Sequence, residues 1–176
     1  MVSLAVIVVA SCGGALTSGA ETTVADEWSL ADSFDIPDIT DEVVMTAGVV
    51  RDGRYWAVAS PETSPEGVMF DVSRVRFGEV CEQWAVEQGR GDIGCLNDYA
   101  VDDTVTASVA SSDVMTVTVV SVANQAARFT ISRSELIRLL TSSATAAPRD
   151  FEFAPFPFVV TVKDGVVMAA DQVWVP

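Results

Sequence analysis

The alternation between positions 158 and 169 constrains this chain more than any other stretch. Phe158, Val160 and Val162 fall on one face of an extended segment, Asp164-Gly165 supplies the positive φ angles of a type I′ turn, and Val167 and Ala169 return on the same face. A one-residue slip would carry the apolar set to the solvent side, so the pattern itself specifies the register. Such a hairpin needs further strands or a helix to cover it, because an isolated pair is marginal in water.

The rest of the chain offers them. Residues 43–50 and 55–59 flank Arg51-Asp52-Gly53-Arg54 and read as a hairpin or a slightly longer loop, and 68–75 is a further strand. Residues 104–110 and 114–123 read as two strands around a Ser111-Ser112-Asp113 turn, with another at 128–131. Over 77–88, Val80 and Trp84 with Cys81 and Ala85 form a mostly apolar helical face, ended by Gly89, Gly91 and Gly94. Ser132-Arg133-Ser134-Glu135 is a capping box, which opens a short helix carrying Leu136, Leu139 and Leu140. The expected fold is α+β: a β-rich antiparallel sheet of hairpins with two short helices. The final hairpin is expected at its centre or inner edge, and the Cys81 helix on one side.

The chain begins differently. An apolar run from Leu4 to Ala10 ends in Val9-Ala10-Ser11-Cys12, far short of the ~20 residues needed to span a bilayer. This segment resembles a bacterial lipoprotein processing site, in which a cysteine after small residues is lipidated on sulfur and becomes the first mature residue. The resemblance implies a signal peptide over 1–11 and a lipid anchor of the palmitate type on Cys12. Val and Ile also suit a buried strand, but Gly13, Gly14, Ser18 and Gly19 follow at once, as in a tether. Residues 1–11 hold neither Lys nor Arg, so the secretory pattern expects the true start upstream. The expected organisation is signal peptide 1–11; lipidated cysteine, flexible tether and acidic arm over 12–41; and a single globular domain over 42–176. The arm carries Trp28, Leu30, Phe34 and Ile36 among its carboxylates, and reads as an irregular, solvated segment over the domain.

Three cysteines form an odd set, and assigning Cys12 to lipid leaves Cys81 and Cys95 to pair in an oxidising compartment. A disulfide there contributes ~3 kcal/mol on the loop-closure account. A zinc site wants four ligands, and the chain has no histidine and no second cysteine pair.

With 25 acidic against 10 basic residues, a net charge of −15 and a single lysine, Lys163, nucleic acid is excluded as a partner. The same charge is repelled by an anionic membrane, so attachment must come from lipid. The lack of histidine removes Ser-His-Asp and Cys-His arrangements. No Gly-x-Ser-x-Gly elbow occurs, Lys163 beside a hairpin turn reads as solvated rather than catalytic, and Gly89-Arg90-Gly91 lacks the lysine of a phosphate loop. No cofactor and no metal are expected.

Carboxylates remain. Asn97, Asp98, Tyr99, Asp102 and Asp103 crowd together after Cys95 and form a candidate ligand or hard-cation region, although the spacing is not that of an EF-hand and Asn-Asp commonly forms local turns. Glu79, Glu82 and Glu87 could pair as glycosidase acid and base, or simply solvate a helix. Arg90-Gly91-Asp92 spells an integrin-type tripeptide in a glycine-rich loop and is read as chance. Of Trp28, Trp56, Trp84 and Trp174, most are expected in the core, with Trp174 the one to expose its ring.

Phe70-Asp71, Phe77-Gly78 before the Cys81 helix, Leu96-Asn97-Asp98-Tyr99 with Val101 and Asp102, the stretch 158–165, and the ending Trp174-Val175-Pro176 are together similar to small secreted lipoproteins of actinobacteria. The resemblance covers residues 43–176 and implies an exported envelope protein without assigning an activity. The expected function is a noncatalytic binding or interaction module, held by lipid on the extracytoplasmic face of the cell membrane. Its expected partner is an envelope protein or small ligand. A carboxylate-dependent hydrolase of cell-wall glycan and a structural surface lipoprotein without a ligand are the alternatives.

Overall fold

A computed structural model describes residues 28–61, 67–91, 94–124 and 127–175. The expected signal segment, Cys12, the tether and Asp92 lie outside the described residues. The elements are β1 (Ser29–Leu30), β2 (Met45–Thr46), β3 (Val49–Val50), β4 (Gly53–Pro61), β5 (Val68–Phe77), α1 (Gly78–Glu87), β6 (Tyr99–Val120), β7 (Arg128–Ile131), α2 (Arg133–Leu140), β8 (Phe158–Lys163) and β9 (Val166–Gln172). A 3-10 turn, Leu96–Asp98, leads into β6.

The fold is β-rich, with one large mixed sheet and two helices. Its organising element is β6, 22 residues long. Along its first half β6 pairs antiparallel with β5, and between Ser111 and Thr118 it pairs parallel with β9. Because β5 continues to β4, β4 to β8 and β8 to β9, the ladder returns to β6 and closes into a ring. Closure satisfies strand edges that an open sheet would leave unpaired. β7 pairs with the last four residues of β6, and β1 in turn with β7.

Alternation decides what fills the ring. In β5, Val68, Phe70 and Val72 point into the main core, where they meet Tyr55, Ala57, Val109, Val117, Phe158, Val160 and Val167. The opposite face carries a smaller cluster of Trp56, Val75, Val159 and Val173, against which Phe34, Phe77 and Tyr99 pack. The wholly buried Leu136 of α2 joins the main core, with Trp28, Phe151 and Phe153 packed against it. Gln172, also fully buried, accepts from Val120 N at 3.0 Å and donates to the Ala154 and Phe156 carbonyls, fastening the loop before β8.

Several local expectations change. Residues 43–50 do not pair with 55–59: they fold on themselves as the β2–β3 hairpin, whereas β4 lies between β5 and β8. Ser111-Ser112-Asp113 does not end the strand: β5 holds the chain up to Ala110 and β9 takes it at Ser111 and again from Thr116, with residues 112–115 of β6 bulging opposite one residue of β9. The β6–β9 ladder is parallel, so the sheet is not built of antiparallel hairpins alone. The β8–β9 hairpin forms with Asp164 at φ 51° and Gly165 at φ 78°. A bulge after Thr161 shifts its return strand, so that Ala170 rather than Ala169 shares the core face with Val167. The Cys81 helix packs on β5 and β6.

The acidic arm lies along the sheet. Its β1 pairs with β7, Ala31 N donates to the Arg128 carbonyl at 2.9 Å, and Thr40 N donates to the Val75 carbonyl at 3.0 Å. Thr40 is buried and its Oγ1 accepts from Val75 N at 2.9 Å. Between these fastenings the Phe34 ring lies under the guanidinium groups of Arg54 and Arg128, at 5.3 and 5.4 Å.

Candidate functional site

On the side of β5 that carries Val68, Phe70 and Val72, the next two positions are Arg74 and Arg76. Opposite them the β5–β6 ladder breaks: Arg74 faces Asp102 and Val72 faces Ala107, so one residue of β5 spans four of β6. Bulges of this kind re-aim side chains. Here the bulge opens a cleft of about 160 Å³ lined by Glu42, Val43, Arg74, Asp102, Thr104 and Val105.

Each acid in the cleft is answered by an arginine. Arg74 donates to Glu42, and Arg76 Nη1 lies 3.5 Å from Asp102 Oδ2. Thr104 Oγ1 donates to Asp102 Oδ1 at 2.7 Å, and this bond, helped by the Thr104 N–H and Arg76, holds the Asp102 carboxyl below the ordinary carboxylate range. A glycosidase acid needs the opposite displacement. Arg76 also lies over the Trp84 ring at 4.8 Å, with Arg90 at 5.3 Å from the same ring, so α1 is bound to the sheet through its tryptophan.

The disulfide sits behind this helix. Cys81, fully buried on α1, is bonded to Cys95, with Cα atoms 5.9 Å apart. Gly94 makes the approach possible: a Cβ there would stand 2.4 Å from the Ala85 Cβ. A second groove of about 390 Å³ lies beside the bridge, lined by Glu82, Ala85, Val86, Gly91 and Cys95.

The candidate cluster after Cys95 is divided by this geometry. Asn97 and Asp98 both take φ 62° in the turn, a conformation these two residue types tolerate. Tyr99 packs against Trp56 and Phe77 on the outer aromatic face. Asp102 points into the cleft and Asp103 is exposed on the bulge. Asp102 alone of the five lines the cleft. Among the described residues no group of three or more His, Cys, Asp or Glu is placed to hold a metal ion. Glu79, Glu82, Glu87 and Lys163 are exposed. Trp56 is buried; Trp28, Trp84 and Trp174 are each half-buried, Trp174 edge-on to Phe156.

Sequence reasoning missed Glu42, Arg74, Arg76 and Thr104. The signal for the arginines was present, since the alternation of 68, 70 and 72 carries straight on to 74 and 76. The bulge that brings Thr104 beside Asp102 left no local mark. A buried polar node at α2 was half visible: Ser132 Oγ accepts from Glu135 N at 3.2 Å, as the capping box requires. The Glu135 carboxylate, with no exposed surface, also accepts from Trp28 Nε1, Ala146 N and Arg138. Near the arm, Arg128 has Nε and Nη2 buried without a hydrogen-bond acceptor among the described residues, 4.0 Å separates Nη2 from Asp171, and burial pushes its pKa below the ordinary arginine value. No helix among the described residues is long and apolar enough to cross a membrane. Comparison of the chain with protein-family models, with curated proteins and with solved structures finds no match.

Proposed function

We propose that this chain is an extracytoplasmic, lipid-tethered binding module that performs no catalysis, attached through Cys12 and engaging an envelope protein or small ligand with its sheet domain. The observation that carries the reading is the Cys81–Cys95 bridge, with Cys81 wholly buried on α1. Disulfides of this kind persist in oxidising compartments, and this one leaves Cys12 as the odd cysteine, placed directly after a small-residue, secretory-type run. The pairing of Glu42 and Asp102 with arginines favours recognition over acid–base chemistry in the cleft.

Cells expressing the full chain and fed labelled palmitate test the reading. Label and protein should co-fractionate with membranes, and Cys12→Ala should lose both. Equal label or unchanged fractionation in the variant overturns the anchor. A reproducible partner recovered by cross-linking from intact cells supports the binding role, and turnover of wall glycan that depends on Asp102 or Glu42 overturns the noncatalytic one.

A further inference from the structure

The β2–β3 hairpin is built unlike the rest of this acidic surface. Residues 43–50 contain no charged side chain, in a chain whose net charge is −15. Val43 and Val50, at the hairpin's base, are buried in the main core. Val44, Met45 and Val49 are 38%, 53% and 51% exposed, and the turn residues Ala47 and Gly48 are exposed with them. Val44 and Val49 share one face of the hairpin and Met45 the other, so the tip is apolar on both sides, a grouping that marks a contact surface more often than scattered apolar residues do.

The tip is also braced. Arg51 N donates to the Val44 carbonyl at 3.0 Å, and Tyr55 Oη to the Arg51 carbonyl at 2.7 Å. Asp164 N donates to Asp52 Oδ1 at 2.8 Å, and Gly165 lies so close to Val49 that a Cβ would meet its Cγ1 at 2.6 Å. Arg51, Asp52, Lys163 and Asp164 cancel in charge beside the hairpin, Asp41 next to Gly53 adds one negative charge, and Glu42 at its base is engaged by Arg74. The local surface is therefore close to neutral, and the repulsion that keeps the rest of the domain from a negative surface is relieved there.

We propose that the β2–β3 hairpin is a membrane-contact tip, which inserts Val44, Met45 and Val49 into the interfacial region of the bilayer that anchors the chain. Chain length keeps that bilayer within reach of the domain. About sixteen residues separate Cys12 from Trp28, so at most ~55 Å of extended chain lies between the anchor and the sheet. A domain held at such range meets the lipid surface at high effective concentration, and a weak apolar contact at the tip then suffices to fix its orientation.

The inference takes the bilayer from the tethered reading, and its test supplies the tether chemically so that the two can fail separately. Full-length, unlipidated protein is coupled through Cys12 to maleimide-bearing phosphatidylcholine vesicles, or to a soluble maleimide as control, and amide hydrogen exchange is compared. Exchange over residues 44–49 should slow at least tenfold on vesicles alone. The effect should vanish in Met45→Asp/Val49→Asp at unchanged thermal midpoint and survive in Val58→Asp, which alters an exposed valine away from the tip. Equal exchange on vesicles and control overturns the proposal. So does protection that persists in the double variant, or protection that appears with rising protein concentration in the absence of lipid, which would assign the tip to a second copy.

Discussion

Trp28 Nε1 donates a 2.8 Å hydrogen bond to Glu135 Oε2, joining residues 107 positions apart and fixing the start of the arm to the first turn of α2. The Trp28 ring also stands edge-on to Phe151 at 4.6 Å and to Phe129 at 5.8 Å. Removing one partner from a buried charged hydrogen-bond network costs more than the bond contributes, because the others stay desolvated. Glu135→Ala should therefore lower unfolding stability by about 3 kcal/mol or more. Trp28→Phe, which keeps most of the packing, should cost about 1–3 kcal/mol. Urea titrations of the two variants check the ordering.

The cysteine assignment predicts a thiol count. Unlipidated protein under denaturing, non-reducing conditions should show one titratable thiol per chain, rising to three after reduction. Cys81→Ser/Cys95→Ser should lose ~3 kcal/mol, as expected for a closed loop of this length. Helix α1 should loosen before the ring does, and hydrogen exchange resolved by segment would show that order.

Gly165 has φ +78°, and a Cβ there would meet Val49 Cγ1 at 2.6 Å. Gly165→Ala combines backbone strain with a steric clash and should cost on the order of 1–3 kcal/mol. Val49→Ala in the same chain removes the clash but not the strain, and should restore part of the loss. Thermal midpoints of the two variants separate the contributions.

Asp102 ties stability to acidity. Its carboxyl is held below the ordinary range, so the folded state binds fewer protons there than the unfolded state does. Its contribution is complete above the unfolded value of about 3.9 and disappears as pH falls from there through the folded value. Asp102→Asn should destabilise the protein near neutrality. The gap between wild type and variant should narrow as pH is lowered from about 5, and a gap that stays constant to pH 3 would contradict the assignment.

Arg128 points to the opposite outcome. Its guanidinium is largely buried, only partly answered by Asp171 and by the Phe34 ring. Replacing such a group by an apolar one of similar volume is commonly neutral or stabilising. Arg128→Met should leave stability within about 1 kcal/mol of wild type or raise it, whereas Asp171→Ala, which strands the charge, should lower it.

What could be read from sequence follows from how local each determinant is. Helix α1 and the β8–β9 hairpin rest on spacing within a few residues, and both form where expected, apart from the bulge that exchanges Ala169 for Ala170. The same holds for β7 and α2. Ser111-Ser112-Asp113 has turn chemistry, yet Ser111 pairs with Val167 and its Oγ accepts from Val68 N, and two long-range partners outweigh a local preference. In the loop expected at 51–54, strand pairing already begins at Gly53, which faces Val162. Asp102 could be singled out as one of several carboxylates, but the arginines that define its role stand on another strand, across a bulge without a local signature.

The closure of the ring by β9 also sets an order of events in time. The strand that completes the ladder is the last one in the chain, and β4 waits for β8, with Tyr55 opposite Val160. Pairings between such distant segments carry high contact order, so loop-closure entropy must be met before most native contacts form, and folding belongs in the slow, millisecond-to-second class. During synthesis the partial chain has no way to complete its core, and the ring stays open until residue 172 has emerged.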